Sequence, residues 1–88
     1  MRLIEDHILR NVHGNMVLAP VSDRETDFQG MIVLNPSGEF VCRMLRQETD
    51  RDRLAAGLAK KYGLEPEAVM ADLDAFLADL DSCRMLVY

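Results

Sequence analysis

FQGMIVLNPSGEFVCRML, residues 28–45, carries the chain from a short apolar strand through Asn35-Pro36 into an amphipathic helix. Met31, Ile32, Val33 and Leu34 contain neither charge nor proline, the usual devices that keep an edge strand from pairing with other chains. Asn35 reads as an N-cap, with Pro36 at the first helical position, where a missing N–H costs nothing. The corner is therefore specified residue by residue, and the strand that ends there has no visible protection. From periodicity alone, a buried strand and a strand open to a partner explain these four residues equally well.

Upstream, residues 8–13 and 16–21 are apolar runs on either side of Gly14-Asn15, a dipeptide suited to a tight hairpin. Pro20 marks the limit of the second run or an edge position. Residues 22–27 (SDRETD) form a polar loop, and Gly30 in the third run, residues 28–34, is a bulge position. Three strands joined by short loops predict an antiparallel meander with the third strand at its edge.

Downstream, Phe40, Val41, Met44 and Leu45 share one face of the first helix. Thr49, with Asp52 three residues on, opens the second, whose stripe is Leu54, Ala55, Leu58, Ala59 and Tyr62. Gly63 ends it at the usual left-handed position, with Lys60 and Lys61 in the last turn. Pro66 starts a third helix with a central stripe of Val69, Leu73, Phe76 and Leu80, flanked by Met70 and Leu77. It stops around residues 81–83, and residues 85–88 are an apolar tail long enough for one short strand. The order predicts an α+β fold, a three-stranded antiparallel N-terminal sheet followed by three helices, with residues 1–88 as one domain.

Composition narrows the function. The chain has 88 residues, 49% of them hydrophobic and 28% charged, as in folded soluble proteins. Its apolar runs fall far short of the roughly 20 residues of a membrane span, and MRLIEDHILR lacks a signal-peptide core. A cytoplasmic protein with no membrane partner is expected. Cys42 and Cys83 lack any metal-ligand spacing and read as small buried apolar residues, so neither metal nor cofactor is implied. His7 and His13 read as surface residues, and Ser22, Ser37 and Ser82 as turn or helix-end residues. No phosphate loop or nucleophile–base pattern marks an enzyme.

Three helices and a terminal strand also admit a winged-helix DNA-binding regulator. Against it stand the net charge of −5 and a third helix that between Glu65 and Asp81 carries Glu65, Glu67, Asp72, Asp74, Asp79 and Asp81 with neither Lys nor Arg. The cluster Arg43, Arg46, Arg51 and Arg53 is interleaved with Glu48, Asp50 and Asp52. No nucleic-acid partner is expected. A structural subunit that pairs with itself through the third strand is a further alternative, so the protein is expected as a monomer or a homodimer. Peptide binding by strand addition uses the same free edge.

The segment DFQGMIVLNPSGEFVCRML resembles the corner motif of the PqqD-like proteins. EAVMADLDAFLADL is similar to that family's third-helix segment, and LRNVHGNMVLAP to its opening run. The resemblance implies a winged helix-turn-helix-like RiPP precursor-peptide recognition element, a peptide chaperone without catalytic activity. Such a domain binds the leader of a ribosomally made precursor peptide and delivers it to a modifying enzyme, often a radical SAM protein. The leader would add beside the third strand, in a cleft closed by the third helix. Carried onto this chain, the peptide-binding residues are Met31, Ile32, Val33 and Leu34 with Met70, Asp72, Leu73, Phe76 and Leu77. Cys42 stands where many relatives carry an aromatic residue. Arg84 replaces a common glycine, which weakens the case for a sharp cap there.

Overall fold

In a computed structural model, residues 1–20 and 32–88 of the chain are described. Their elements run Arg2–Leu3 (β1), His7–Val12 (β2), Asn15–Pro20 (β3), Ile32–Leu34 (β4), Pro36–Met44 (α1), Arg51–Tyr62 (α2), Pro66–Ser82 (α3) and Leu86–Val87 (β5). The β2-β3-β4 sheet is antiparallel throughout, and β1 pairs with β5 in a separate two-stranded sheet. The fold is the expected α+β, winged helix-turn-helix-like arrangement of a three-stranded sheet followed by three helices. β4 is the C-terminal part of the expected third strand. The loop at residues 22–27, the Gly30 bulge position and residues 28–31 lie outside the described residues, so Met31 has no described place.

The hairpin turn sits one residue earlier than expected. His13 (φ 53°) and Gly14 (φ 85°) occupy its two central positions, and Val12 pairs with Asn15. Two successive positive φ values make a type I′ turn, whose twist matches that of the strands. Asn11 Oδ1 accepts from the Gly14 N–H at 2.9 Å and closes the turn. The register explains the shift. It places Leu9, Leu18 and Ile32 in one row and Asn11, Met16 and Leu34 in the next, on the face that meets the helices. A slip of one residue would turn Leu18, which is fully buried, to the opposite face.

Helix ends follow local chemistry. Asn35 Oδ1 accepts from the Gly38 N–H at 2.7 Å, so α1 starts as the sequence predicts. The second helix departs from expectation, because Asp50 caps it, accepting from the Arg53 N–H at 2.8 Å. Thr49 is engaged elsewhere: its N–H donates to the Met1 carbonyl, and the Leu3 N–H donates to the Leu45 carbonyl. These two bonds tie the β1 segment to the α1–α2 link. Gly63 (φ 66°) ends α2 in the left-handed conformation.

α3 ends sharply despite Arg84. That residue adopts φ 59°, its N–H donates to the Asp81 carbonyl, and the Met85 N–H donates to the Leu80 carbonyl. This is a Schellman cap with arginine where glycine is usual. Leu80 and Met85 are both buried, giving the motif its hydrophobic contact. The cap turns the chain into β5, whose partner is β1 rather than β4. Leu18, Leu34, Val41, Cys42, Leu45, Leu54, Leu58, Leu73, Leu80 and Met85 belong to one core cluster under the sheet and between the helices.

Candidate functional site

Each helix contributes one wall of a groove of about 600 Å³. α3 presents Val69, Asp72, Leu73, Ala75, Phe76 and Asp79 along it. The start of α1 supplies Gly38 and Val41, with Asn35 and Ser37 at the rim. Leu58, Tyr62 and Leu64 close the end formed by α2 and the turn after it. The floor is apolar, and Tyr62 and Leu64 stay 42% and 52% exposed at the lip.

At Gly38 the start of α1 and the Phe76 ring of α3 come close together. A methyl group there would stand 3.3 Å from the Phe76 ring and 3.1 Å from Asn35 Oδ1, the cap oxygen of α1. The missing side chain lets α3 approach the start of α1 while the cap stays formed. Phe76 is half-buried and packs against the core.

The groove's charged groups are carboxylates at its edge. Asp72 and Asp79 are exposed and, among the described residues, neither is in an ion pair. α3 contains no basic residue to offset them. Asp74, on another flank of α3, binds Arg51 through two parallel contacts of 2.6 and 2.8 Å and so joins α3 to the start of α2. The hydrogen bond from Arg51 holds the Asp74 carboxyl below the ordinary carboxylate range. The Cys42 thiol lies under the groove in the core, where burial pushes its pKa up to about 12.

The edge of the sheet adjoins the groove at Asn35. Among the described residues β4 pairs with β3 alone. In a two-residue hairpin the residues flanking the turn form a hydrogen-bonded pair, and such pairs then alternate along the ladder. Val12 and Asn15 are that pair, so Asn15 and Val17 face β2 while Met16 and Leu18 face β4. Ile32 and Leu34, opposite Leu18 and Met16, therefore spend their backbone groups on β3. Val33 points its N–H and C=O outward from the sheet edge. Its side chain, 65% exposed, lies on the face away from the helices.

The predicted residues are thus divided. Asp72, Leu73 and Phe76 line the groove, with Leu73 buried in its floor. Met70 and Leu77 are half-buried against the core and do not line it. Ile32 and Leu34 face the helices and Val33 offers its backbone, but none of the three is a groove wall. Sequence reasoning missed Asp79, Ala75, Tyr62, Leu64 and the start of α1. The spacing Asp72, Phe76, Asp79 is a helical face in its own right. The set of residues carried over from the family resemblance included Asp72 but took Met70 and Leu77 as the remaining flank instead.

Among the described residues no group of three or more His, Cys, Asp or Glu side chains is placed to hold a metal ion. No helix among them is long and apolar enough to cross a membrane.

Sheet, helices and groove together define the class of small winged-helix-like α+β proteins. The family model described as coenzyme PQQ synthesis protein D (PqqD) matches residues 9–86, and the chain belongs to that family. No curated protein matches it in sequence. Among solved structures it is similar to TbiB1, determined in complex with the TbiA(beta) leader peptide, with a TM-score of 0.75 and 16% identity. The match covers 98% of this chain and 94% of that one; at such identity the likeness is one of fold.

Proposed function

We propose that this protein binds the leader segment of a ribosomally synthesised precursor peptide and presents it to a modifying enzyme, such as a radical SAM protein. It acts as a chaperone and performs no catalysis itself. The leader adds as a strand along β4, with alternate side chains entering the groove beside α3. The observation that carries this reading is the outward-facing Val33 backbone at a sheet edge that adjoins an apolar groove. Family membership supports it, as does the leader peptide bound to TbiB1, a protein of the same fold. The C-terminal strand is paired with β1 and does not occupy this edge.

The described part of the edge, Ile32–Leu34, contributes little by itself. Within the described strand only Val33 faces outward, so one donor and one acceptor are on offer, each hydrogen bond worth about 1 kcal/mol net. Affinity must come mainly from side chains in the groove, at about 1.5–3 kcal/mol for each fully buried apolar anchor. Met31, Ile32, Val33, Leu34, Asp72, Leu73 and Phe76 remain the proposed contact set, and Asp79, Tyr62 and Leu64 join it. Met70 and Leu77 act through the packing of α3.

Titration with precursor peptides encoded near the gene, followed by amide chemical shifts, tests the proposal. Saturable shifts at residues 32–34 and along α3 are expected. Shifts confined to loops, or no binding, would overturn it. Val33→Pro removes the outward N–H while sparing the bonds to β3, and edge strands accept proline. It should weaken peptide binding roughly fivefold, the equivalent of one hydrogen bond.

A further inference from the structure

Resting on the peptide-binding reading above, we infer that Asp72 and Asp79 choose the peptide by charge. The groove takes a segment with a large apolar residue and a Lys or Arg two positions away on each side. The two carboxylates stand at the edge of one groove, on one face of α3, seven residues apart. That spacing is two helical turns, about 10.5 Å along the axis. Between them lies Phe76, with Leu73 and Val41 below.

An extended peptide advances about 3.4 Å per residue and points alternate side chains to the same side. Positions two and four apart are therefore about 6.8 and 13.6 Å apart on the groove side. The wider spacing exceeds the carboxylate separation by about 3 Å, which a flexible Lys or Arg stem spans easily. It also leaves one groove-facing position between the two cations, directly over the apolar floor. Acidic flanking residues would meet the unpaired carboxylates of Asp72 and Asp79. Exposed pairs of this kind are individually weak and salt-sensitive, so they sort peptides more than they hold them.

The test is selection of short random displayed peptides on the wild-type protein and on the double variant Asp72→Lys with Asp79→Lys. Both positions are exposed, and circular dichroism checks that the variant is folded. Wild-type protein should enrich an apolar anchor with Lys or Arg two positions to either side, and the variant should enrich Asp or Glu there. Replacing both flanking cations by Glu in a selected peptide should lower wild-type affinity roughly tenfold at low salt. The difference should vanish near 1 M salt, where the Debye length is about 3 Å. Apolar-anchored peptides with the same flanks on both proteins would overturn the charge selection and leave peptide binding standing. Failure to enrich any peptide whose capture is lost in Tyr62→Ala or Phe76→Ala would overturn both.

Discussion

Arg84 and Cys42 show how single residues here depart from what their positions favour. A left-handed conformation costs a non-glycine residue about 1–2 kcal/mol, and glycine returns part of that gain as lost chain entropy. Arg84→Gly should therefore stabilise the protein by about 0.5–1 kcal/mol, raising Tm by roughly 2–8 °C. A thermal melt showing no rise would mean that contacts of the arginine side chain outweigh its strain. Cys42 is fully buried with its pKa pushed up to about 12, so the reactive thiolate is scarce at neutral pH. N-ethylmaleimide should modify half-buried Cys83 first and Cys42 only as the protein unfolds, as mass spectrometry along a urea gradient can follow. Equal labelling rates in the native state would contradict the assigned burial.

Pairs of elements are joined by both apolar and polar contacts, and α2 with α3 is the clearest case. Asp74 has its carboxyl lowered by Arg51, so the bridge adds stability above the ordinary carboxylate value of 3.8 and loses it as pH falls through the lower folded value. Urea midpoints measured from about pH 5 down to about pH 2 should show wild type more stable than Asp74→Asn at the upper end, with the curves converging at the lower. Parallel curves would show that the bridge carries no pH dependence. The corner at Asn35-Pro36, the stop at Gly63 and the start at Pro66 were legible because caps and breakers act within a few residues. Asp50 rather than Thr49 caps α2, and the Thr49 backbone is instead held by Met1, a partner distant in sequence. The hairpin turn at His13-Gly14 was set by which residues reach the core, and two adjacent dipeptides containing Gly14 satisfy turn chemistry almost equally. The misread turn comes from tertiary contacts overriding a local preference.

Across the whole molecule, the groove is assembled by three helices, and that is why only part of it was legible. Asp72, Leu73, Phe76 and Asp79 lie in the α3 segment that resembles the family, whereas Gly38, Tyr62 and Leu64 come to the groove only through where α1 and α2 stand against α3. β1 was invisible for the same reason: its two residues pair with Leu86 and Val87 at the other end of the chain. That pairing keeps the tail off the β4 edge, since Leu86 and Val87 are held by β1.

Among the described residues of β4 Val33 alone faces outward, and that has a kinetic meaning. With few backbone bonds to break, a bound peptide is released as soon as its groove anchors slip. For micromolar affinity and an ordinary association rate of about 10⁶ M⁻¹s⁻¹, the complex should last about a second. Stopped-flow dissociation of a labelled leader should fall near that value, and lifetimes of many minutes would contradict it. A carrier with so brief a grip can be emptied and refilled within successive turnovers of the enzyme it serves, without any device to force the peptide off.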